Sequence, residues 1–253
     1  MKYYKKLLAL GCFTREDIVE LVGTETGAAS LIYDYLKKGY IQRVKRNLYV
    51  VISLENDCPV LNRYQIGSHL FEDAYISHHS ALEIIGAYNQ VYYECYVSTK
   101  HRFKDFTYDG ITYHRIESDN YNQIEKNNNI KYTTKERSIV DSIKDYKKIS
   151  DLEETLKCLL LADKLDENKI LNCLETYQNG FLYQKCGYIF ESFNHYLHFS
   201  SSFFKKCKNH ISDSKRYFDE QYMCNRYKKK WKLYVPDNIN DYTNKGVDLD
   251  AIG

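Results

Sequence analysis

The sequence predicts an α+β protein in which a small N-terminal helix-and-hairpin domain precedes a mixed α/β and then helical remainder. Three observations carry that prediction. Apolar residues in the first forty positions recur at helical spacing and are followed at once by a basic alternating segment. A short strand pair flanks Asp109-Gly110, a two-residue turn signal. From residue 133 onward, helix-start signals precede apolar runs at three- and four-residue intervals. The expected divisions are 1–54 for the N-terminal domain, 55–70 for a connector, 71–235 for a C-terminal domain (α/β to about 150, then helical), and 236–253 for a polar tail.

Lys2 to Leu10 suits a short helix ended by Gly11. Thr14 then caps a second helix whose first turn carries Glu16 and Asp17, where the helix dipole favours acids. Gly23 closes it. A third helix is predicted from about Gly27 to Lys38 with Thr26 as its cap. Ala28, Ala29, Leu31, Ile32, Tyr35 and Leu36 form its apolar side, and Thr26, Ser30, Tyr33 and Lys37 fall opposite. Hydroxyls, a ring and a cation on one face suit hydrogen bonding to phosphates and base edges in a major groove. Ile41 to Val44 and Leu48 to Ile52 then alternate around a polar turn, and Asn47 tolerates positive φ there. Three helices followed by a hairpin with Arg43, Lys45 and Arg46 near its tip make a winged helix-turn-helix DNA-binding domain. Its third helix enters the groove while the hairpin lies on the backbone.

Further on, Pro59 marks the connector. Ser77 precedes a helix from His78 to Ile85 stopped by Gly86, and Tyr92 to Ser98 alternates as a strand. Capping boxes are read at Thr133-Thr134-Lys135-Glu136 and Ser150-Asp151-Leu152-Glu153. Amphipathic helices follow near Leu152–Leu160 and Ile170–Leu174, with one or two between Phe181 and Phe204. Leu233-Tyr234-Val235-Pro236 reads as a last short strand.

The 253 residues carry 36 Lys and Arg against 34 Asp and Glu, so the overall balance says little. Its distribution says more: nine bases against five acids up to Val50, and ten against three from Lys205 to Lys232. Two basic ends suit contact with a polyanion. In the second, Lys228, Lys229, Lys230 and Lys232 either form a solvated charge run or touch nucleic acid or a partner. The eight cysteines contain no Cys-x-x-Cys pair, and no apolar run approaches a membrane span or signal peptide. A cytoplasmic protein with reduced thiols is expected. The 26 tyrosines read as AT-rich codon usage, not as a base-stacking surface.

Four stretches resemble the AbiEi antitoxins of type IV toxin–antitoxin, or abortive-infection, systems: Lys38-Gly39-Tyr40-Ile41-Gln42-Arg43-Val44-Lys45-Arg46-Asn47-Leu48-Tyr49-Val50, Tyr75-Ile76-Ser77-His78-His79-Ser80-Ala81-Leu82, Tyr96-Val97-Ser98-Thr99, and Thr134-Lys135-Glu136-Arg137-Ser138-Ile139-Val140-Asp141. The resemblance implies a winged helix that represses its own operon at inverted repeats and a C-terminal domain that counters a nucleotidyltransferase toxin encoded nearby. Asn47 stands where many relatives carry Gly; Asn can take the same backbone conformation. The half after Asp151 matches only loosely.

No phosphate loop, serine elbow or His-Glu-x-x-His helix is present. Asp141 with Asp145 and Lys147 faintly resembles a nuclease set, but an amphipathic helix accounts for them. His195, His198, Cys207 and His210 lack the paired spacing of zinc modules. His78-His79 reads as structural, and Asp248-Leu249-Asp250 falls in the tail. The expected function is thus an autorepressor and antitoxin without catalysis, cofactor or metal. It would be a monomer or weak dimer that pairs on double-stranded DNA, with Thr26, Ser30, Tyr33 and Lys37 reading bases and Arg43, Lys45, Arg46 and Asn47 at the backbone. A ligand-responsive regulator without a toxin is the alternative, and a metal-dependent nuclease the third reading.

Overall fold

The computed structural model describes residues 2–219 and 226–244, a mixed α and β arrangement with three separate sheets. The chain divides into two compact units.

The first unit comprises Met1–Ile76, Tyr92–Asn120 and Glu125–Tyr132. It opens with α1 (Tyr4–Leu10), β1 (Cys12–Phe13), α2 (Arg15–Val22) and α3 (Glu25–Lys37), followed by β2 (Ile41–Lys45) and β3 (Leu48–Val51). Thr14 and Asp17 form a reciprocal capping box at the start of α2, and Gly23 ends that helix at φ 88°. The cap of α3 is Thr24, whose Oγ1 accepts from the Gly27 amide at 3.1 Å. Thr26, expected as the cap, lies inside the first turn. Two threonines bracket Glu25, and capping by Thr24 places that acid in the first turn, where the dipole favours it. Strands β1, β3 and β2 make an antiparallel sheet in that order. It closes over a core of Leu7, Phe13, Ile18, Ala28, Ile32, Tyr35, Ile41 and Val51. Ala29, assigned to the apolar side of α3 by spacing, is exposed.

Residues 55–70, expected as a connector, hold α4 (Arg63–Ser68), opened by an Asn62–Gln65 capping box. The remaining strands are β4 (Tyr75–Ile76), β5 (Glu94–Thr99), β6 (Phe106–Tyr108), β7 (Ile111–Glu117), β8 (Ile124–Asn127) and β9 (Ile130–Thr133). They form a mixed sheet in the order β6-β7-β5-β4-β9-β8, with β5–β7 and β4–β9 parallel. Asp109-Gly110 turns β6 into β7 with both φ positive, at 50° and 73°. Asn128-Asn129 does the same between β8 and β9, at 47° and 61°.

The second unit comprises Ser77–Val91, Tyr121–Ile124 and Thr133–Gly253. Its helices are α5 (His78–Ile85), α6 (Lys135–Ile149), α7 (Leu152–Leu161), α8 (Glu167–Tyr177), α9 (Gly180–Ser192), α10 (Asn194–Leu197), α11 (Ser201–Asn209) and α12 (Asp241–Asn244). A small sheet of β10 (Arg216–Tyr217), β11 (Arg226–Lys228) and β12 (Leu233–Val235) runs in the order β10-β12-β11. Leu82, Ile139, Leu156, Leu174, Phe190, Phe203 and Trp231 share its core. The two expected capping boxes are each displaced by one residue. Thr134, not Thr133, caps α6, and Asp151, not Ser150, caps α7. Of the glutamates in the expected boxes, Glu136 accepts from the Asp166 amide and Glu153 pairs with Lys157, while Glu154 turns to His79.

Within the expected tail, Ile239 is buried and α12 forms. Asp248, Leu249 and Asp250 lie outside the described residues. Among those described, no helix is long and apolar enough to cross a membrane. Seven cysteines there are free thiols, six of them buried. Burial pushes the Cys12 and Cys207 thiols up to about 12.

Candidate nucleic-acid interface

Helix α3 presents Thr26, Ser30, Tyr33 and Lys37 on its exposed side, with Tyr33 71% exposed. The opposite side, Ala28, Ile32 and Tyr35, is buried. None of the four outward residues is held in an ion pair among the described residues, so a cation, two hydroxyls and a ring stand free along one face.

The β2–β3 hairpin divides its polar residues by environment. Arg43 and Arg46 are exposed, and the Arg43 guanidinium lies 5.6 Å from the centroid of Tyr49. Lys45 is half-buried instead. Its ammonium sits 4.0 Å from the centroid of Phe71 and 5.3 Å from that of Phe103, and desolvation there lowers its pKa. A register shift between Arg43 and Lys45 turns the strand at this point. Sequence spacing grouped Lys45 with the two arginines as a tip cation; its aromatic neighbours, distant in sequence, draw it inward.

Asn47 holds φ 60°, as its turn role requires. Its side chain is already engaged: Oδ1 accepts from the Arg15 amide at 3.0 Å, and Nδ2 donates to Glu16 Oε2 at 2.7 Å. The hairpin is thereby tethered to the first turn of α2. Together Arg15, Glu16, Arg43, Arg46, Asn47 and Tyr49 line an open cavity of about 480 Å³. Arg15 also pairs with Glu25 at 2.8 Å. Arg15 was missed in the sequence, where the only signal was a cation in the first position after the Thr14 cap. Three guanidinium groups and one carboxylate around a solvent-filled notch form a place where a phosphate oxygen would be attracted.

No protein-family model matches the chain, and no curated protein is significantly similar to it.

The lysine cluster of the second unit is also divided. Lys230 pairs with Glu191, and Lys232 with Asp213 at 2.8 Å. Lys228 and Lys229 form no ion pair among the described residues.

The nuclease set is dispersed over separate partners. Asp141 is buried, accepts from Tyr177 and lies 3.4 Å from the Arg137 guanidinium. Asp145 meets His78 and Lys144; burial would raise its pKa, but those two partners hold it well below the usual carboxylate range. Lys147 pairs with the buried Asp219 at 2.7 Å. Among the zinc candidates, Cys207 is buried while His195, His198 and His210 are exposed.

The one His/Cys/carboxylate cluster among the described residues is His79, Glu154 and Cys158. His79 Nε2 is 3.0 Å from Glu154 Oε1, and Nδ1 is 3.2 Å from Glu83 Oε1. Burial disfavours the charged ring, but Glu154 and Glu83 outweigh it and raise the His79 pKa. The same Glu154 oxygen accepts from the Asn89 and Gln90 amides and from the Cys158 thiol. His79, on α5, thus has a carboxylate at each ring nitrogen, and Glu154 ties the segment after α5 to α7.

Proposed function

We propose that the chain is a double-stranded-DNA-binding autorepressor whose first unit reads DNA as a winged helix-turn-helix. The single observation that supports this most is the free polar face of α3 beside a hairpin carrying two exposed arginines. Thr26, Ser30, Tyr33 and Lys37 enter the major groove, and Arg43 and Arg46 hold the adjoining phosphates with Arg15. Lys45 and Asn47 act differently from the sequence expectation: both shape the hairpin and neither is spent on a phosphate. One helix of this length reaches few base pairs, so two copies on an inverted repeat in the chain's own promoter complete the operator. The antitoxin role, opposition to a nucleotidyltransferase encoded nearby, follows from the AbiEi resemblance and is proposed with it.

The test is titration of the full chain against promoter duplex and against the same duplex with its repeats scrambled. Tight binding to the first, lost in the Tyr33→Ala/Lys37→Ala double variant, supports the reading. Equal affinity for both duplexes, unchanged in that variant, removes it. Growth rescue on co-expression with the neighbouring nucleotidyltransferase tests the antitoxin part separately.

A further inference from the structure

The small sheet of the second unit has one face buried and one face lined with rings. Leu233 and Val235 of β12 are fully buried, so Tyr234 between them points the other way. The register sets Tyr217 of β10 and Tyr227 of β11 directly opposite Tyr234, one on each side. The rings form a continuous row: Tyr217 and Tyr234 stack at 4.7 Å and 16°, and Tyr227 follows at 4.9 Å from Tyr234. Tyr217, at the end of the row, is 58% exposed and offers its outer surface to solvent.

Cross-strand aromatic pairs stabilise a sheet by themselves, by roughly 0.2–1 kcal/mol each. That accounts for two neighbouring rings and leaves the charge around them unexplained. Arg216, Arg226 and Lys228 stand opposite Leu233 and Val235 and so belong to the other face. Lys215, just before β10, and Lys229, just after β11, flank the strands, and neither forms an ion pair among the described residues. The Lys215 ammonium stands 5.4 Å from the centroid of Tyr227. Three acids of this region are paired: Asp213 with Lys232, Glu191 with Lys230, and the buried Asp219 with Lys147. Two lysines thus flank a row whose outermost ring, Tyr217, keeps its outer face open.

We infer that this sheet face binds single-stranded nucleic acid. Unpaired bases offer flat faces that stack on tyrosine, while the free cations meet the phosphates between them. A duplex hides those base faces and would need an element that enters a groove; the row is flat. An acidic protein would engage the cations but gain nothing from the rings. The site is separate from the α3 surface and does not depend on duplex reading there.

The experiment uses the full chain and fluorescein-labelled twelve-nucleotide oligouridine and oligothymidine, followed by anisotropy at two salt concentrations. A labelled duplex of equal length and unrelated sequence is the comparison. Binding of at least one single strand, weakened by Tyr217→Ala on the order of 5- to 100-fold and retained by Tyr217→Phe, is the expected result. Lys215→Gln/Lys229→Gln should lower the log–log salt slope by about 1.4, at about 0.7 per phosphate on a single strand. Arg43→Ala/Arg46→Ala should leave single-strand binding unchanged, which separates this site from the duplex site. Circular dichroism checks that Tyr217→Ala folds; if it does not, the lysine pair and Tyr217→Phe carry the decision. Absence of single-strand binding at low salt overturns the inference. So does wild-type affinity in folded Tyr217→Ala together with an unaltered salt slope in the lysine variant. So does polyglutamate binding as tight as the oligonucleotide and indifferent to Tyr217→Ala.

Discussion

Gly187→Ala sets two known effects against each other at one position. Gly187 lies within α9, where alanine is the better helix former by about 1 kcal/mol. On propensity alone the substitution would stabilise the protein. The indole of Trp231 is pressed against the bare backbone there, however. A Cβ at Gly187 would fall 2.5 Å from Cη2 and 2.6 Å from Cε3, and closer still to Cζ3. All three are ring atoms, and the ring has little room to yield. Trp231 is 1% exposed, its Nε1 donates to Glu191 at 2.6 Å, and Gln184 donates to its carbonyl at 2.9 Å. Forcing the indole out forfeits most of its burial, about 3–5 kcal/mol by the cost of truncating a core tryptophan. Against the gain of about 1 kcal/mol in helix propensity, the net loss is roughly 2–4 kcal/mol. Urea denaturation measures it. Trp231 is the only tryptophan in the chain, so its emission reports this location alone and should shift to the red in the native variant. A variant as stable as the parent with unshifted emission would show that Trp231 does not pack on α9, and the reasoning would fail.

Three further outcomes follow from the geometry. Arg43→Ala/Arg46→Ala should reduce the salt slope of duplex binding by about 1.8, so that its affinity deficit narrows roughly 12-fold between 50 and 200 mM salt; an unchanged slope would remove both arginines from the backbone contact. Lys45→Ala should leave that slope alone and instead cost about 0.5–2 kcal/mol of stability, because its ammonium faces Phe71 and Phe103; the reverse pattern in titration and melting would return Lys45 to the DNA. The His79 pKa is raised above its ordinary 6.5, so its stabilisation is complete below 6.5 and is lost as pH climbs through the raised folded value. Glu154, lowered below its ordinary 4.5 because His79 and the Asn89 amide outweigh burial, contributes stability complete above 4.5 and lost on further acidification. His79→Gln should therefore cost roughly 3–5 kcal/mol near pH 6 and flatten the alkaline decline; a parallel pH profile in the variant would show that the ring is not the group titrating.

Local signals were legible in the sequence, and long-range ones were not. Thr14 with Asp17, Gly23, Gly86 and Asp109-Gly110 act over a few residues, and each reads correctly from spacing. Where two hydroxyl or acidic caps stand close together, as at Thr24 and Thr26, Thr133 and Thr134, or Ser150 and Asp151, spacing alone cannot choose between them. The choice depends on what the following acid does in the folded chain. Lys45 illustrates the larger gap: nothing near it predicts a seat against Phe71 and Phe103. Asn47 was readable as a turn residue but not as a tether to Arg15 and Glu16. The tyrosine row is the clearest case. Its three members come from strands paired in the order β10-β12-β11, one pair parallel and one antiparallel, and composition had no means of aligning them.

The chain passes between its two compact units five times, at 76/77, 91/92, 120/121, 124/125 and 132/133. Protein engineers who would graft this N-terminal segment onto another effector therefore have no single splice point after Ile76. A fragment ending there keeps β4 but discards β5 and β9, leaving both edges of that strand bare for other chains to pair with. A fragment beginning at Thr133 likewise lacks α5 and the Glu83 and His79 carried on it, and strands the Glu154 carboxylate in an apolar interior. Each unit is thus built from segments that only the continuous chain supplies.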